Sequence, residues 1–243
     1  MNDRETILRR IRQGLGTGTN LPATWDSKEN ADSTDSFEGH GISVGSQNLV
    51  QEFQREARLQ SVEVHEASDL SAAACVLARI LEPMAAPRIL AWSHPLLDAP
   101  DMAGVLQDRR GSGPSPDPEN AASSRDRSSR TAEAARADVG VTAVDWALAD
   151  TGTLVLLSGP GRSRSASLLP PVHVALVPVS RILPNLAALL EHLPADPAQA
   201  LKQESSLTLI TGTSKTADIE LTLVRGVHGP GRVHVILVAN DVV

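Results

Sequence analysis

An α/β fold with a mostly parallel sheet flanked by helices is what this 243-residue chain predicts, on three observations. Apolar runs of strand length, LVLL and VHVALVPV, carry no polar alternation, as expected of strands buried on both faces. Those runs alternate with segments whose apolar residues fall at helical spacing. Aromatic residues are scarce, with no Tyr, two Phe and three Trp, so the core must be built from Leu, Val, Ile and Ala.

In chain order, residues 3–15 place Ile7, Leu8, Ile11 and Leu15 on one stripe, a short amphipathic helix. Residues 16–46, rich in Gly, Ser, Thr, Asp and Asn, read as a flexible linker, so the 1–15 helix is tethered to the body. That body spans 47–243. NLVQEFQREARLQ has Leu49, Val50, Phe53 and Ala57 at helical spacing, SVEVHEA alternates as a strand, and DLSAAACVLARIL is a helix in which Cys75 reads as a small core residue. RILAWS is a short buried strand, and residues 95–109 supply one more helix. Residues 111–131 are rich in Ser, Pro and charge with nothing large to bury, and read as a disordered insertion.

Beyond the insertion, VGVTAVDWALAD leads into LVLL and VHVALVPV. PNLAALLEHL is a helix, SLTLI a strand, TADIELTLVRGV a short helix and GRVHVILV the closing strand.

Composition excludes several classes of function. A net charge of −7 disfavours nucleic acid and anionic membranes, which need a basic face. One cysteine rules out an internal disulfide framework, a thiolate zinc cage or a resident iron–sulfur cluster. No His-x-His or HExxH spacing marks a metal site, and no GxSxG elbow marks a nucleophile. MNDRETILRRIRQGL has no hydrophobic h-region and no run is long enough to span a bilayer, so a cytoplasmic protein is expected.

Four stretches are able to carry chemistry. In GTSKTADIE, residues 212–220, a strand running into Gly212-Thr213-Ser214-Lys215-Thr216 and then a helix would offer free amides, hydroxyls and an ammonium to an anion. The same residues make an ordinary helix cap, which residue types alone favour. Asp150-Thr151-Gly152-Thr153 displays hydroxyls at a strand end, or forms a hairpin turn with Gly152 at positive φ. GPGRSRSASLLPP, with Arg164, is either an anion-binding loop or a solvated connection. GVHGP sets His228 at the tip of a bend, where it would act as acid, base or ligand. His173 and His234 fall inside strand-like runs and read as satisfied core or surface histidines.

Taken in order, ADTGTLVL, SLLPPVHVALVPVSRI preceded by Arg164, TGTSKTADIE and GVHGPGRVHVIL resemble the LUD-domain family of lactate utilization proteins. The resemblance is dense over about 139–237 and looser over about 47–109. It implies a fold like that of the ribose-5-phosphate isomerase, glucosamine-6-phosphate deaminase and CoA-transferase group. It also implies a part in oxidising L-lactate to pyruvate beside two partner proteins that hold the iron–sulfur clusters, with no cofactor bound by this chain. No catalytic residue is carried over. The family positions are Asp150, Thr151, Gly152, Thr153, Arg164, Gly212 to Glu220, Gly226, His228, Gly229 and Pro230. Thr213 stands where the family motif has proline, which adds one N–H at the turn. The expected role is an accessory or ligand-binding subunit for a small carboxylate or phosphate. The alternative is a stand-alone enzyme of the isomerase/CoA-transferase-like group acting on a phosphorylated or CoA-type substrate.

Overall fold

Five parallel strands form the large sheet: β1 (Val62–Ala67), β2 (Ile89–Ala91), β3 (Val139–Ala143), β6 (Val172–Pro178) and β11 (Arg232–Val238), in the spatial order β1-β11-β6-β3-β2. The computed structural model describes residues 46–107, 132, 134–193, 206–216 and 224–239, all within the unit Val44–Val243. The helix expected over 3–15, the linker before Ser46 and the 111–131 insertion lie outside the described residues.

β3 and β6 are buried at every position, which explains why VGVTA and VHVALVP carry no polar alternation. Helices cover both faces of the sheet. On one face, α1 (Ser46–Leu59) packs against β1, and its Gln54 side chain donates to Glu66 at 2.7 Å. Phe53 and Ala57 are fully buried, as their spacing predicts. α5 (Ser165–Leu168) lies against β3 so closely that a Cβ on Gly140 would collide with the Ala166 carbonyl.

The opposite face is met by α2 (Leu70–Leu81), which packs on β1 and β11. Asp69 caps it, accepting from the Ala72 amide at 2.8 Å. Cys75 is exposed, on the outward side of α2. That corrects the core reading: the buried stripe runs through Ala73, Ala74, Val76 and Leu77 instead.

The single helix expected over 95–109 is two, α3 (Pro95–Asp98) and α4 (Pro100–Gln107). Ala99, with ψ at 144°, is held out of the helical region, as a residue before proline tends to be.

A second sheet, not foreseen, has the order β7-β4-β5-β8: β4 (Trp146–Leu148), β5 (Thr153–Ser158), β7 (Ile182–Leu183) and β8 (Ser206–Ile210). β4 and β5 form an antiparallel hairpin, β8 adds antiparallel to β5, and β7 runs parallel to β4. α6 (Leu186–His192), capped by Asn185, sets Leu189 against Leu148 and Val155.

Of the helix expected over TADIELTLVRGV, the described ends are strand and the middle lies outside the described residues. Lys215–Thr216 (β9) and Val224–Arg225 (β10) pair antiparallel, so the ends of TADIELTLVRGV form a two-rung ladder. Residues 217–223 lie outside the described residues.

Candidate functional site

Three groupings of polar side chains emerge from this architecture. The first gathers most of the sequence-expected site residues where the parallel strands of the large sheet begin. β5 and β8 pair so that Leu154 faces Ile210, which brings Thr153 beside Thr211. Their hydroxyls lie 2.7 Å apart, Thr153 Oγ1 donates to Thr151 Oγ1 at 2.8 Å, and Thr151 Oγ1 donates to Asp150 Oδ1 at 3.0 Å. A run of hydroxyls thus ends on a carboxylate.

Gly152 has the positive φ of the hairpin reading, 63°, and a Cβ there would sit 2.6 Å from the Ala57 Cα in α1. Position 152 is therefore shaped by the approach of a helix as well as by the turn.

The chain then leads from Thr211 into Gly212, whose φ is 87° and which lies against Gln60 just past α1. The amides expected to be free for an anion are largely used. Thr213 N–H donates to the Gln60 carbonyl at 3.4 Å, and Ser214 N–H donates to the Pro230 carbonyl at 2.9 Å. The Ser214 carbonyl accepts from Gly226 N–H at 3.0 Å. The N–H gained by having Thr213 in place of proline thus faces the turn before β1. Lys215 and Thr216 are strand, and the helix that Ser214 or Thr216 would cap falls on residues outside the described ones. What stays outward is the exposed Lys215 and, beyond the bend, the exposed His228. Gly229 packs against the Ser214 side chain, and its surroundings reach the Leu168 carbonyl at the end of α5. Arg164 stands exposed before the other end of that helix, its carbonyl accepting from Ser167. Thr213 Oγ1 is buried with no hydrogen-bond partner among the described residues.

The second grouping lies where the parallel strands end, the side on which open α/β sheets usually bind ligands. The GPGRSRS segment is fastened here. Ser93 N–H donates to the Gly161 carbonyl at 2.9 Å, and Trp92 Nε1 donates to the Ser163 carbonyl at 2.8 Å. Arg162 donates to Asp145 at 3.1 Å with its guanidinium 6.0 Å from the centre of the Trp92 ring, while Asp145 also accepts from Leu157 N–H at 2.7 Å. Ser93 donates to Asp98 at 3.1 Å, and His94 Nδ1 accepts from Leu96 N–H at 3.2 Å. Burial holds the His94 pKa below the ordinary imidazole value, helped by Arg162 and Arg181 and opposed by Asp98. Neutral His94 among arginines and carboxylates is suited to proton transfer or to hydrogen-bonding an anionic ligand. Sequence reasoning named the GPGRSRSASLLPP loop but missed its partners Trp92, His94 and Asp145, because they come from separated segments. The signal present was the Trp-Ser-His run at the end of a strand.

The third grouping crosses β1 and β11. Glu63 faces His234 in the register, and His65 lies two residues further along the same face. His65 Nε2 is 3.3 Å from His234 Nδ1, and Glu63 Oε2 is 3.5 Å from the same nitrogen. His234 is thus neither isolated nor simply a core residue. His173 is a core residue, fully buried with Nε2 2.9 Å from the Thr142 hydroxyl, but its Nδ1 has no partner among the described residues.

Among the described residues, no helix is long and apolar enough to cross a membrane. The family model of the LUD domain matches residues 50–238. A lactate utilization protein C from Halalkalibacterium halodurans is 34% identical over 161 residues, 66% of this chain and 66% of that protein. The protein of the same name from Bacillus subtilis is 41% identical over 108 residues, 44% of this chain and 45% of its own length. The matched stretch thus spans from under half to about two thirds of these relatives. A crystal structure of a DUF162 family protein from Deinococcus radiodurans superposes with a TM-score of 0.53 at 20% identity, covering 80% of this chain and 98% of that one. At that identity the likeness speaks for the α/β fold alone. With the family match running from α1 to the end of β11, this chain belongs to the LUD-domain family.

Proposed function

We propose that this protein serves lactate utilization, as an accessory or ligand-binding subunit that acts in the cytoplasm beside iron–sulfur partner proteins during the oxidation of L-lactate to pyruvate. The single observation that carries the reading is the family match over 50–238, joined to relatives that bear the name lactate utilization protein C. Its one cysteine supports leaving cluster chemistry to partners, because a cluster needs several thiolates.

The ligand in this reading is a small carboxylate or phosphate held by Ser214, Lys215 and His228, with Thr213 beneath. Support comes from the pairing that brings ADTGT and TGTSK to one end of the sheet. With the Thr213 and Ser214 amides directed into the protein, side chains carry the binding, and Lys215 carries the charge. Deleting the gene and measuring growth and oxidation rate on L-lactate tests the pathway. Normal growth with an undiminished rate would end the proposal. For the ligand, calorimetry with L-lactate, pyruvate and phosphate should show Lys215→Ala weakening binding by a few-fold to tens-fold. That range lies at or below the roughly 10- to 150-fold equivalent to about 1.5–3 kcal/mol, the full worth of a charge-assisted hydrogen bond. Equal affinity in both proteins would leave Lys215 a surface charge.

A second reading, a stand-alone enzyme acting on a phosphorylated or CoA-type substrate, draws support from the cluster at the strand ends. There His94 and Asp98 supply proton-transfer groups, and Arg162 and Arg181 positive charge. A panel of acyl-CoA and sugar-phosphate substrates tests it, and loss of turnover in His94→Gln would tie the activity to that end.

A further inference from the structure

We propose that Glu63, His65 and His234 form a binding site for a zinc-type divalent metal, with three protein ligands and a fourth position open to water or a small oxygen ligand. One donor atom from each residue lies within 4.8 Å of the others. The two separations to His234 are those of ligands on a tetrahedral ion. Zinc–nitrogen bonds of about 2.0–2.1 Å put adjacent ligand atoms about 3.3 Å apart at tetrahedral angles and about 2.9 Å apart at right angles. The two imidazole nitrogens are 3.3 Å apart, long for a hydrogen bond between rings, and the carboxylate oxygen is 3.5 Å from His234. The rings lie 26° from parallel with centroids 5.5 Å apart, so their facing nitrogens are the nearest atoms of the pair.

The architecture supplies rigidity and access together. All three ligands stand on strands locked in register, Glu63 opposite His234 and His65 two positions along, so that little ordering is needed on binding. His234 is buried on β11, while β1 is an edge strand of the large sheet and the Glu63 side chain is 61% exposed, which opens a path from solvent. Arg79 and Arg232 are in electrostatic range of the two imidazoles and oppose added positive charge. They therefore disfavour calcium and magnesium, which bind by charge to oxygen, relative to borderline metals that bond strongly to imidazole. Sequence spacing concealed the site because two ligands are i and i+2 on a strand and the third is 169 residues from His65.

The test uses the full chain stripped with a chelator and titrated with Zn²⁺ against a chromophoric competitor, then with Co²⁺. One Zn²⁺ per chain is expected, and Co²⁺ should give the intense visible bands of a four-coordinate ion. Glu63→Gln, at a mostly exposed side chain, should bind at least about tenfold more weakly, and His65→Ala more weakly still. His192→Ala should bind like the wild type. Absence of Zn²⁺ binding at micromolar concentration would overturn the proposal, as would unchanged affinity in both Glu63→Gln and His65→Ala. The pale spectrum of six-coordinate Co²⁺ would overturn the tetrahedral assignment.

Discussion

Lowering the pH should strip stability from this protein through His173. The ring is fully buried on β6, and burial, aided by nearby His234, drives its pKa from about 6.5 down to about 4. Above pH ~7 the ring is neutral in folded and unfolded chains alike, and its burial carries no protonation penalty. As pH falls through ~6.5 the unfolded chain takes up a proton that the folded chain refuses, so the folding free energy declines by about 1.4 kcal/mol per pH unit. The decline ends near the folded pKa of about 4, for a total of about 3 kcal/mol. Other histidines lose in the same direction, because burial also lowers the pKa of His65, His94 and His234. The decisive comparison is therefore between wild type and His173→Gln, whose amide can keep a hydrogen bond to Thr142. Urea unfolding at several pH values should show the wild type losing about 2–3 kcal/mol more than the variant between pH ~7.5 and ~4.5. A gap between the two proteins that stays constant across that range would refute the reasoning.

Three further outcomes are expected. Gly152→Ala should destabilise by about 2–5 kcal/mol, adding left-handed backbone strain to a collision with α1, and a loss under about 1 kcal/mol in urea unfolding would contradict the described approach. Asp69→Ala removes the cap of α2 and should cost about 1 kcal/mol, whereas Asp69→Asn or Asp69→Ser should recover most of it. Asp145→Ala leaves the Leu157 amide and Arg162 each short of an acceptor and should cost about 2–4 kcal/mol. A double-mutant cycle with Arg162→Ala should show coupling above about 0.5 kcal/mol, and simple additivity would dismiss the pair as structurally important.

The large sheet was legible because VHVALVP and RVHVILV are buried nearly end to end, and continuous apolar runs of that length between glycines and prolines have few other uses. The second sheet was harder to see. β4 and β7 are two or three residues long, too short for any period to declare itself, and only register shows that β5 pairs with β8. At the ends of TADIELTLVRGV, Thr216 and Val224 pair as strands across a ladder that only tertiary approach sets, so helical spacing could not foretell it. For the site, motif order pointed to the right family and to segments that do meet, ADTGT with TGTSK. It could not reveal that Thr213 and Ser214 spend their amides on Gln60 and Pro230, because those partners are fixed by tertiary approach. His94 and Asp145 escaped notice for the same reason, each being unremarkable among its sequence neighbours, although the loop carrying Arg162 was a candidate.

The position of β11 also bears on how the chain reaches this state. β1 has only β11 as a ladder partner among the described strands, and β11 is also the neighbour of β6. During synthesis the first strand of the sheet must therefore wait, with its hydrogen-bonding edge unsatisfied, until the last one has been made. Closing so large a loop is entropically slow and exposes a strand edge in the meantime. Release from Val233 onward would leave β1 and β6 without a strand between them, so a chain cut there should stay in a partly assembled, aggregation-prone form instead of merely losing a tail.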